Sequence, residues 1–209
     1  MLAEHFEVSE PELLPRFNIA PTQKVAVVRA KEEGRELVFL RWGLIPSWAK
    51  EKSIGAKLIN ARAETAAEKP GFRSAFKHRR CLIPSDGLFE WKKEDGQKQP
   101  YYITLRDQSL FAYAGLWEEW KREDSDEPIQ TCTILTTEAN ELIRPLHDRM
   151  PVILDPKDYA AWLDPTPRPN TTLLPLLRPF PSEAMQAYPV SSTVNNARNQ
   201  GQSCIERAE

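Results

Sequence analysis

Residues 80–117 read RCLIPSDGLFEWKKEDGQKQPYYITLRDQSLFAYAGLW, and this stretch sets the expected fold class. Runs rich in β-branched and aromatic residues alternate here with polar or glycine-containing turns, which is typical of consecutive β-strands. The runs predict strands at Arg80–Ile83, Leu88–Lys92, Tyr101–Leu105 and Leu110–Trp117.

Further strands are predicted on both sides of this stretch. Lys24–Arg29 and Glu36–Trp42 flank a polar turn, so they predict a hairpin. The other expected strands are Lys57–Asn60, Thr131–Thr136, Val152–Leu154 and Ala187–Val190. The expected helices are Met1–Phe6, Ala61–Glu68, Phe72–Lys77, Glu138–Ile143 and Pro156–Leu163, and Arg122–Pro128 is expected to be an acidic loop. Many strands with a few inserted helices predict an α+β fold, with a curved, barrel-like, mostly antiparallel sheet and peripheral helices.

Composition bounds the domain count and the classes of partner. With 209 residues and 41% apolar content, the sequence predicts a single domain over residues 1–209 with one sizeable core. The net charge of -2 means that bulk charge does not attract DNA or an anionic membrane, so any nucleic-acid contact must come from a local basic patch. Glycine is scarce, with 8 residues, and no glycine-rich phosphate loop is present, which disfavours a Rossmann or P-loop enzyme.

Cysteine usage and targeting signals bear on cofactors and location. Cys81, Cys132 and Cys204 are isolated from one another, which argues against a disulfide framework and against a zinc site. We therefore expect no metal or cofactor. Because there is no signal peptide and no apolar run long enough to span a bilayer, we expect a cytoplasmic, monomeric protein with no membrane association.

The first candidate for chemistry is Leu58–Thr65, which reads LINARAET. In an extended segment, alternation puts Asn60 and Arg62 on one face. An amide and a guanidinium that face one pocket can hold a phosphate or a carbonyl. The alternative is that Asn60 caps a helix that begins at Ala61, with Arg62 on the surface.

The second candidate is Glu90, which lies between the aromatic residues Phe89 and Trp91 in a predicted strand. A carboxyl group in apolar surroundings has a raised pKa and can act as a general acid or base near neutral pH. The alternative places Glu90 on the solvated face of a half-buried strand while its two aromatic neighbours face the core.

The third candidate is His147, one of three histidines in the chain and the only one in a dense polar setting. Histidine is the side chain best suited to move protons near pH 7. Asp148 is placed to orient the imidazole, and Arg149 is placed to bind an anion. A structural role for the histidine is the competing interpretation.

The fourth candidate comprises two loops with exposed aromatic and proline character, Phe17–Thr22 and Arg41–Trp48. Tryptophan and proline in such loops can form a stacking platform or a wedge for unstacked bases. Ordinary loop packing explains the same residues equally well.

In this order, these segments closely resemble the SOS-response-associated peptidase (SRAP) family over residues 2–200. The matching stretches are NIAPT at residues 18–22, RWGLIP at 41–46, LINARAET at 58–65, DGLFEWK at 86–92, LTT at 135–137, HDRMP at 147–151 and PVS…VNN at 189–196. A single motif of this kind is weak, but the ordered set is highly specific.

The resemblance implies a sensor of abasic sites in single-stranded DNA. Members cross-link to the ring-opened sugar aldehyde through an N-terminal cysteine, forming a thiazolidine, and are credited with a self-cleavage that exposes this cysteine. It also implies a role in the response to DNA damage and activities of the hydrolase, protease and lyase classes. The implied fold is an α+β domain with a barrel-like sheet and a positively charged groove.

The resemblance also assigns roles residue by residue. Asn60 resembles the asparagine that holds the N-terminal cysteine and the sugar, Glu90 the acid/base that assists imine formation, and His147 the second proton-transfer residue. The implied DNA contacts are Arg62 and Arg149 to phosphates, Trp48 and Pro21 in stacking and kinking, and Thr136 to the DNA backbone.

The chain departs from the family at its start. The family begins Met-Cys-Gly-Arg some way before the helix that here contains Leu2, so an N-terminal strand and the cysteine nucleophile are expected to be missing from these residues. A start codon assigned too late, a shortened chain and a variant that does not cross-link are the three explanations. The alternative function is a module that binds single-stranded DNA without chemistry.

Overall fold

The computed structural model describes residues 2–9, 13–94, 96–121 and 127–208, so the predicted acidic loop at Arg122–Pro128 lies mostly outside the described residues. The strands are β1 (Lys24–Ala30), β2 (Arg35–Trp42), β3 (Asn60–Arg62), β4 (Arg80–Ser85), β5 (Leu88–Glu94), β6 (Gln97–Leu105), β7 (Phe111–Trp120), β8 (Ile129–Glu138), β9 (Arg149–Pro151), β10 (Ile153–Leu154) and β11 (Met185–Pro189). The α-helices are α1 (Leu2–Phe6), α2 (Ala63–Ala66), α3 (Arg73–His78), α4 (Tyr159–Leu163) and α5 (Asn170–Leu173).

The larger sheet closes on itself. Its strands follow the order β10-β7-β4-β1-β2-β8-β3, and an additional pairing joins β7 to β8. Pairs β2–β8 and β3–β8 are parallel and the other described pairs are antiparallel. Strands β1 and β4 share one register pair, Val28 with Leu82, so the ring of hydrogen bonds is not a regular barrel. The predicted α+β fold with a mostly antiparallel, curved sheet is confirmed.

The smaller sheet has the order β11-β6-β5 and carries Glu90 in the middle of β5. Its aromatic side chains form a separate cluster with the C-terminal segment: Phe89 and Trp91 pack with Tyr102, Val190 and Val194. This packing places the C-terminal segment beside β5, which becomes important for the site.

The main core fills the space between the ring of strands and the helices. Strand β7 is buried along almost its whole length, because one face lies against the ring interior and the other against α3 and α4. Trp162 of α4 is fully buried here and donates from Nε1 to the carbonyl oxygen of Cys81 at 2.9 Å. Cys81 itself is fully buried, as expected for a small apolar side chain.

Arg80, at the start of β4, is an unusual member of this core because its exposure is only 3%. Its guanidinium donates to five carbonyl oxygens, those of Phe76, Lys77, Trp162, Asp164 and Thr166. Four of these carbonyls lie at the C-terminal ends of α3 and α4, where helices leave acceptors without intrahelical partners, and that of Thr166 follows α4. Arg80 therefore fastens both helix ends to the sheet.

Local predictions were wrong where tertiary contacts compete. The predicted helix Glu138–Ile143 is absent: Glu138 ends β8 and residues 141–146 form turns. Asn140 accepts from the backbone N–H of Ile143 at 3.0 Å, and Pro145 lacks the N–H that a continuing helix needs. The predicted strand Lys57–Asn60 lies later, at Asn60–Arg62, after a 3-10 turn at Lys52–Lys57.

The segment predicted as helix Pro156–Leu163 begins with a 3-10 turn at Pro156–Asp158 and continues as α4. Strand β9 and helix α5 were not predicted. In the part of the chain that the structure describes, none of the helices is long and apolar enough to cross a membrane.

Candidate active site

A cavity of about 790 Å³ opens between the two sheets. Its walls come from residues 13–21, the start of β1, Ile59 and Asn60, residues 83–91 and the C-terminal segment around Val194. The lining is mainly apolar, with Asn60 and Glu90 among its polar members. A cavity of this size and composition is typical of a site that encloses a ligand.

Asn60 reaches the cavity because the preceding chain is anchored to β2. Trp42 donates from Nε1 to the carbonyl oxygen of Ile59 at 2.8 Å. Gly43 has a φ of 129°, and a Cβ at this position would lie 2.6 Å from the carbonyl oxygen of Gly55. Trp42 and Gly43 of the RWG motif therefore fix the position of the chain that leads into β3.

Asn60 and Arg62 share one face of β3, as alternation predicted. Both are exposed, whereas Ala61 between them is buried and pairs with Leu135 of β8. The residue that caps α2 is Arg62, which makes no side-chain capping bond. The alternative in which Asn60 caps a helix is therefore wrong.

Glu90 is half-buried at the cavity wall, opposite Tyr101 of β6. Burial raises the pKa of the Glu90 carboxyl, while the charge of His147 and a hydrogen bond with the Trp91 backbone oppose this shift and Asp148 adds to it. Glu90 and His147 lie far apart in the sequence, yet the charge of His147 influences the Glu90 carboxyl in the folded chain.

The turn before Glu90 has little room. A Cβ on Gly87 would lie 2.2 Å from the ring of Tyr102, so this position needs glycine. The Gly87 carbonyl oxygen accepts from the hydroxyls of Ser85 at 2.7 Å and Tyr113 at 3.0 Å. The DGLFEW motif is thus held in place before it presents its carboxylate.

Two asparagines of the flanking motifs close the C-terminal side of the cavity. Asn18 is buried and donates from Nδ2 to the carbonyl oxygens of Val194 at 3.0 Å and Asn196 at 3.2 Å. Asn195 accepts from Nε1 of Trp91 at 2.7 Å. These bonds explain why motifs from the two ends of the chain belong to one site.

His147 precedes β9, with half of its side chain exposed. Its Nδ1 accepts from the backbone N–H of Arg149 at 2.9 Å. The same nitrogen lies 3.0 Å from the Arg149 carbonyl oxygen and 3.3 Å from Oδ1 of Asp148, whose side chain is 89% exposed. Asp148 is therefore close enough to influence the imidazole, as the sequence suggested.

Arg149 is engaged within the protein. Its Nη1 and Nη2 donate to the two carboxylate oxygens of Glu64 at 2.7 and 2.9 Å. Nη2 also donates to the carbonyl oxygen of Thr136 at 2.5 Å, which links the predicted residues Thr136 and Arg149 directly. Arg149 lowers the pKa of Glu64, mainly through the hydrogen bond between their side chains.

The other predicted DNA contacts lie on the surface. Arg62 is exposed and, within the described residues, its side chain has no hydrogen bond or ion pair. Trp48 is 60% exposed and donates from Nε1 to the carbonyl oxygen of Pro70 at 3.3 Å. Pro21 is exposed at the edge of the cavity.

Sequence reasoning gave no role to Glu64, although the residue stands in the LINARAET motif. Its partner Arg149 lies 85 positions away, so no local pattern connects them. The only hint in the sequence is a carboxylate in a segment that otherwise presents an amide and a guanidinium.

The cysteines and the possible metal ligands of the described residues limit which groups can act as a nucleophile or hold a metal ion. Cys81, Cys132 and Cys204 are all buried, and burial raises the pKa of each thiol. A thiol in that state is a poor nucleophile. Among the described residues, no group of three or more His, Cys, Asp or Glu side chains is placed to hold a metal ion.

Comparison with known proteins gives one consistent result. The family model for "SOS response associated peptidase (SRAP)" matches residues 1–197. The Bacillus subtilis "Abasic site processing protein YoqW" is 46% identical over 198 residues, which cover 94% of this chain and 88% of that protein. The Escherichia coli "Abasic site processing protein YedK" is 33% identical over 211 residues, covering 99% and 92%. A crystal structure of a Bacteroides thetaiotaomicron protein superposes with a TM-score of 0.83 at 33% identity, covering 90% of this chain and 82% of that one.

Proposed function

Because this chain belongs to the SOS response associated peptidase family, whose relatives are named abasic site processing proteins, we propose that it captures abasic sites in single-stranded DNA by a covalent bond. The observation that carries the proposal is that Asn60 and Glu90 line one cavity and that the charge of His147 influences the pKa of the Glu90 carboxyl. Condensation of an amine with an aldehyde requires proton transfer, which a carboxyl group in the cavity can supply, while an amide can hold the reactants by hydrogen bonds.

The reaction balances without a cofactor. An α-amino group attacks the aldehyde carbon of the ring-opened sugar, and loss of one water leaves an imine. The thiol of the same cysteine then adds across the C=N bond and closes a thiazolidine ring. Because the two nucleophiles belong to one residue, the second step has the high effective concentration of an intramolecular reaction.

Glu90 serves the proton transfers in this sequence. Its neutral form donates a proton to the departing water, and its ionised form accepts one from the attacking amine. Since burial raises the pKa of Glu90, the neutral form persists closer to neutral pH than it does for an exposed carboxyl. His147 is the second proton-transfer group, and Asn60 holds the nucleophilic residue and the sugar.

The nucleophile in this proposal is an N-terminal cysteine that is not among the 209 residues. Buried Cys81, Cys132 and Cys204 do not suit the role. The cavity beside Asn60 and Glu90 is the place where we propose that such a residue lies, and autopeptidase cleavage is the step that exposes its amine.

DNA binding in this proposal rests on the surface around the cavity. Arg62 is free to meet a phosphate, and exposed Trp48 and Pro21 offer apolar surfaces on which bases can stack. Arg149 donates to the carbonyl oxygen of Thr136, which is itself buried, and in this proposal the DNA backbone passes along the side of β9 that carries Arg149. Cytoplasmic location and a monomeric state stay predictions of the sequence.

The test is formation of an adduct that survives denaturation. The protein is produced from its own gene with the upstream sequence retained and is incubated with a single-stranded oligonucleotide that contains one abasic site. Wild type should form the adduct, Glu90→Gln should form it at least about a hundredfold more slowly, and the undamaged oligonucleotide should give none.

Glu33→Gln is the matched control because it removes the same charge from an exposed residue in the β1–β2 turn. An adduct rate equal in Glu90→Gln and wild type would contradict the proposed role of Glu90. Salt-dependent binding without any adduct, unchanged in Glu90→Ala, would instead establish the alternative of a non-covalent DNA-binding module.

A further inference from the structure

Hydrogen bonds connect three residues in series, Glu64, Arg149 and His147, and the first has no role in the proposed chemistry. Glu64 of α2 holds the Arg149 guanidinium with two hydrogen bonds, of 2.7 and 2.9 Å. The backbone N–H of Arg149 in turn donates to Nδ1 of His147 at 2.9 Å. The series runs from the segment that carries Asn60 to the predicted proton-transfer residue.

The contact between Arg149 and His147 has a direction. A backbone N–H is always a donor, so Nδ1 must be the acceptor, and a neutral imidazole then carries its proton on Nε2. This arrangement leaves Nε2 as the nitrogen that can donate to a ligand.

Two acceptors favour the opposite tautomer. The Arg149 carbonyl oxygen lies 3.0 Å and Oδ1 of Asp148 lies 3.3 Å from the same Nδ1. If Nδ1 carried the proton, it would donate to one of these oxygens and leave the Arg149 N–H without its acceptor. The ring state therefore depends on how firmly the Arg149 backbone is held.

Arg149 is held at both ends. Its backbone belongs to β9, in register with Glu138 of β8. Its guanidinium is fixed by Glu64 and by the carbonyl oxygen of Thr136, and its side chain is only 20% exposed. A bidentate pair between a guanidinium and a carboxylate is geometrically specific, so Glu64 fixes the orientation of Arg149 as well as its charge.

We propose that Glu64 is a positioning residue that acts through Arg149 to keep the neutral His147 ring protonated at Nε2. The consequence for catalysis rests on the proposed function, in which His147 is the second proton-transfer group: with this tautomer, the proton it can donate is the one on Nε2. The tautomer itself is a property of the protein alone.

The direct test is the tautomer of His147, read by NMR on protein with isotopically labelled histidine. The chain has three histidines, so the spectrum is simple and His147 is assigned by its absence in His147→Gln. When the ring is neutral, wild type should show one tautomer, with Nε2 protonated. Glu64→Gln should show a mixture.

Glu68→Gln is the matched control, because Glu68 is an exposed glutamate just beyond α2 and its substitution removes the same charge. It should keep the wild-type tautomer. If Glu64→Gln does not fold, Arg149→Lys carries the test, since a lysine keeps the charge but cannot make the bidentate pair. Wild type protonated at Nδ1, or a wild-type tautomer in the variant measured, overturns the proposal.

Adduct formation adds a second readout that separates the two proposals. Glu64→Gln should slow the adduct about tenfold, less than loss of a general acid itself, when the rate is measured at an oligonucleotide concentration that saturates the protein. Absence of any adduct in wild type would count against the proposed function and leave the tautomer result intact. A changed tautomer with an unchanged adduct rate would show that Glu64 does not position His147 for this reaction.

Discussion

Arg80, at the start of β4 in the larger sheet, and Glu90, in β5 of the smaller sheet, are two ionisable residues whose pKa values burial changes. Burial lowers the pKa of the Arg80 guanidinium and raises the pKa of the Glu90 carboxyl, so both groups are pushed toward their neutral forms. Arg80, however, donates to five fixed carbonyl oxygens in a filled core, whereas Glu90 faces a cavity of about 790 Å³. A buried charge with fixed partners supports the fold, and one that faces open space is available for chemistry.

The largest effect is expected when the carboxyl at the cavity is neutralised. Glu90→Gln should slow adduct formation by about a hundredfold to ten-thousandfold, because an amide neither donates nor accepts the proton in the same way. The measurement is the single-turnover rate on an oligonucleotide with one abasic site, with Glu33→Gln as control. A loss below about tenfold would place Glu90 outside the chemistry and end the contrast with Arg80.

The same variant should be slightly more stable at neutral pH. The folded protein binds the Glu90 proton more tightly than the unfolded chain, whose reference pKa is 4.5, so this group's contribution is fully present below pH 4.5 and is lost as the pH rises through the folded value. Glu90→Gln removes that loss, and its Tm should exceed that of wild type by about 2 °C at pH 7 but not at pH 4. A Tm that falls at pH 7 would show that the ionised carboxylate is well satisfied.

Replacing the scaffold charge should produce the opposite pattern. Arg80→Met leaves the helix-end carbonyls without a donor and should cost about 3 kcal/mol of unfolding free energy. Thermal unfolding measures the loss, and Lys77→Met, an exposed neighbour in α3, is the matched control. The adduct rate at a temperature well below the Tm should change little. A large loss of adduct rate in folded Arg80→Met would contradict a purely structural role for Arg80.

A smaller effect is expected where the fold positions the reactive strand. Gly87→Ala forces a Cβ to within 2.2 Å of the Tyr102 ring, so β5 or the tyrosine must move. We expect a loss of about 2 kcal/mol and a slower adduct rate, because Glu90 follows on the same strand. Gly71→Ala is the control, since its nearest atom lies 3.7 Å away. Equal stability of the two variants would contradict the tight packing of this turn.

The smallest effect is expected at the DNA surface. Arg62→Gln should weaken binding uniformly across sequences and reduce the slope of log affinity against log salt by about 1, because one phosphate contact is lost. Lys31→Gln in the β1–β2 turn removes the same charge elsewhere and should leave the slope unchanged. Equal slopes in the two variants would show that Arg62 does not contact a phosphate of the bound DNA.

Local patterns predicted the strands well because the alternation of apolar and polar residues along a strand depends only on that strand's own sequence. The hairpin of β1 and β2 and the shared face of Asn60 and Arg62 followed from neighbouring side chains alone. The ring closure did not, because the pairing of β7 with β8 and the single contact of β1 with β4 are set by packing between distant segments. The same competition replaced the helix predicted at Glu138–Ile143 with turns.

The candidate site, too, has features that the sequence predicts and features that only the fold explains. The identity of Glu90 as an acid in apolar surroundings was visible in the sequence, but its burial depends on a cavity whose walls include residues 13–21 and the segment around Val194. The sequence predicted that Arg149 binds an anion, but it did not show that Glu64, 85 positions away, supplies a carboxylate to that guanidinium. Residue types were readable locally, whereas their partners required the fold.

The most direct measurement is the intact mass and the N-terminal peptide of the protein made from its own gene, with upstream sequence retained, before and after reaction with the abasic-site oligonucleotide. We predict a mature N-terminus at a cysteine upstream of Met1 and, after reaction, a mass equal to protein plus oligonucleotide minus one water. A mature N-terminus at Met1 or Leu2, with no mass gain under denaturing conditions, would contradict covalent capture and leave non-covalent DNA binding as the function of this site.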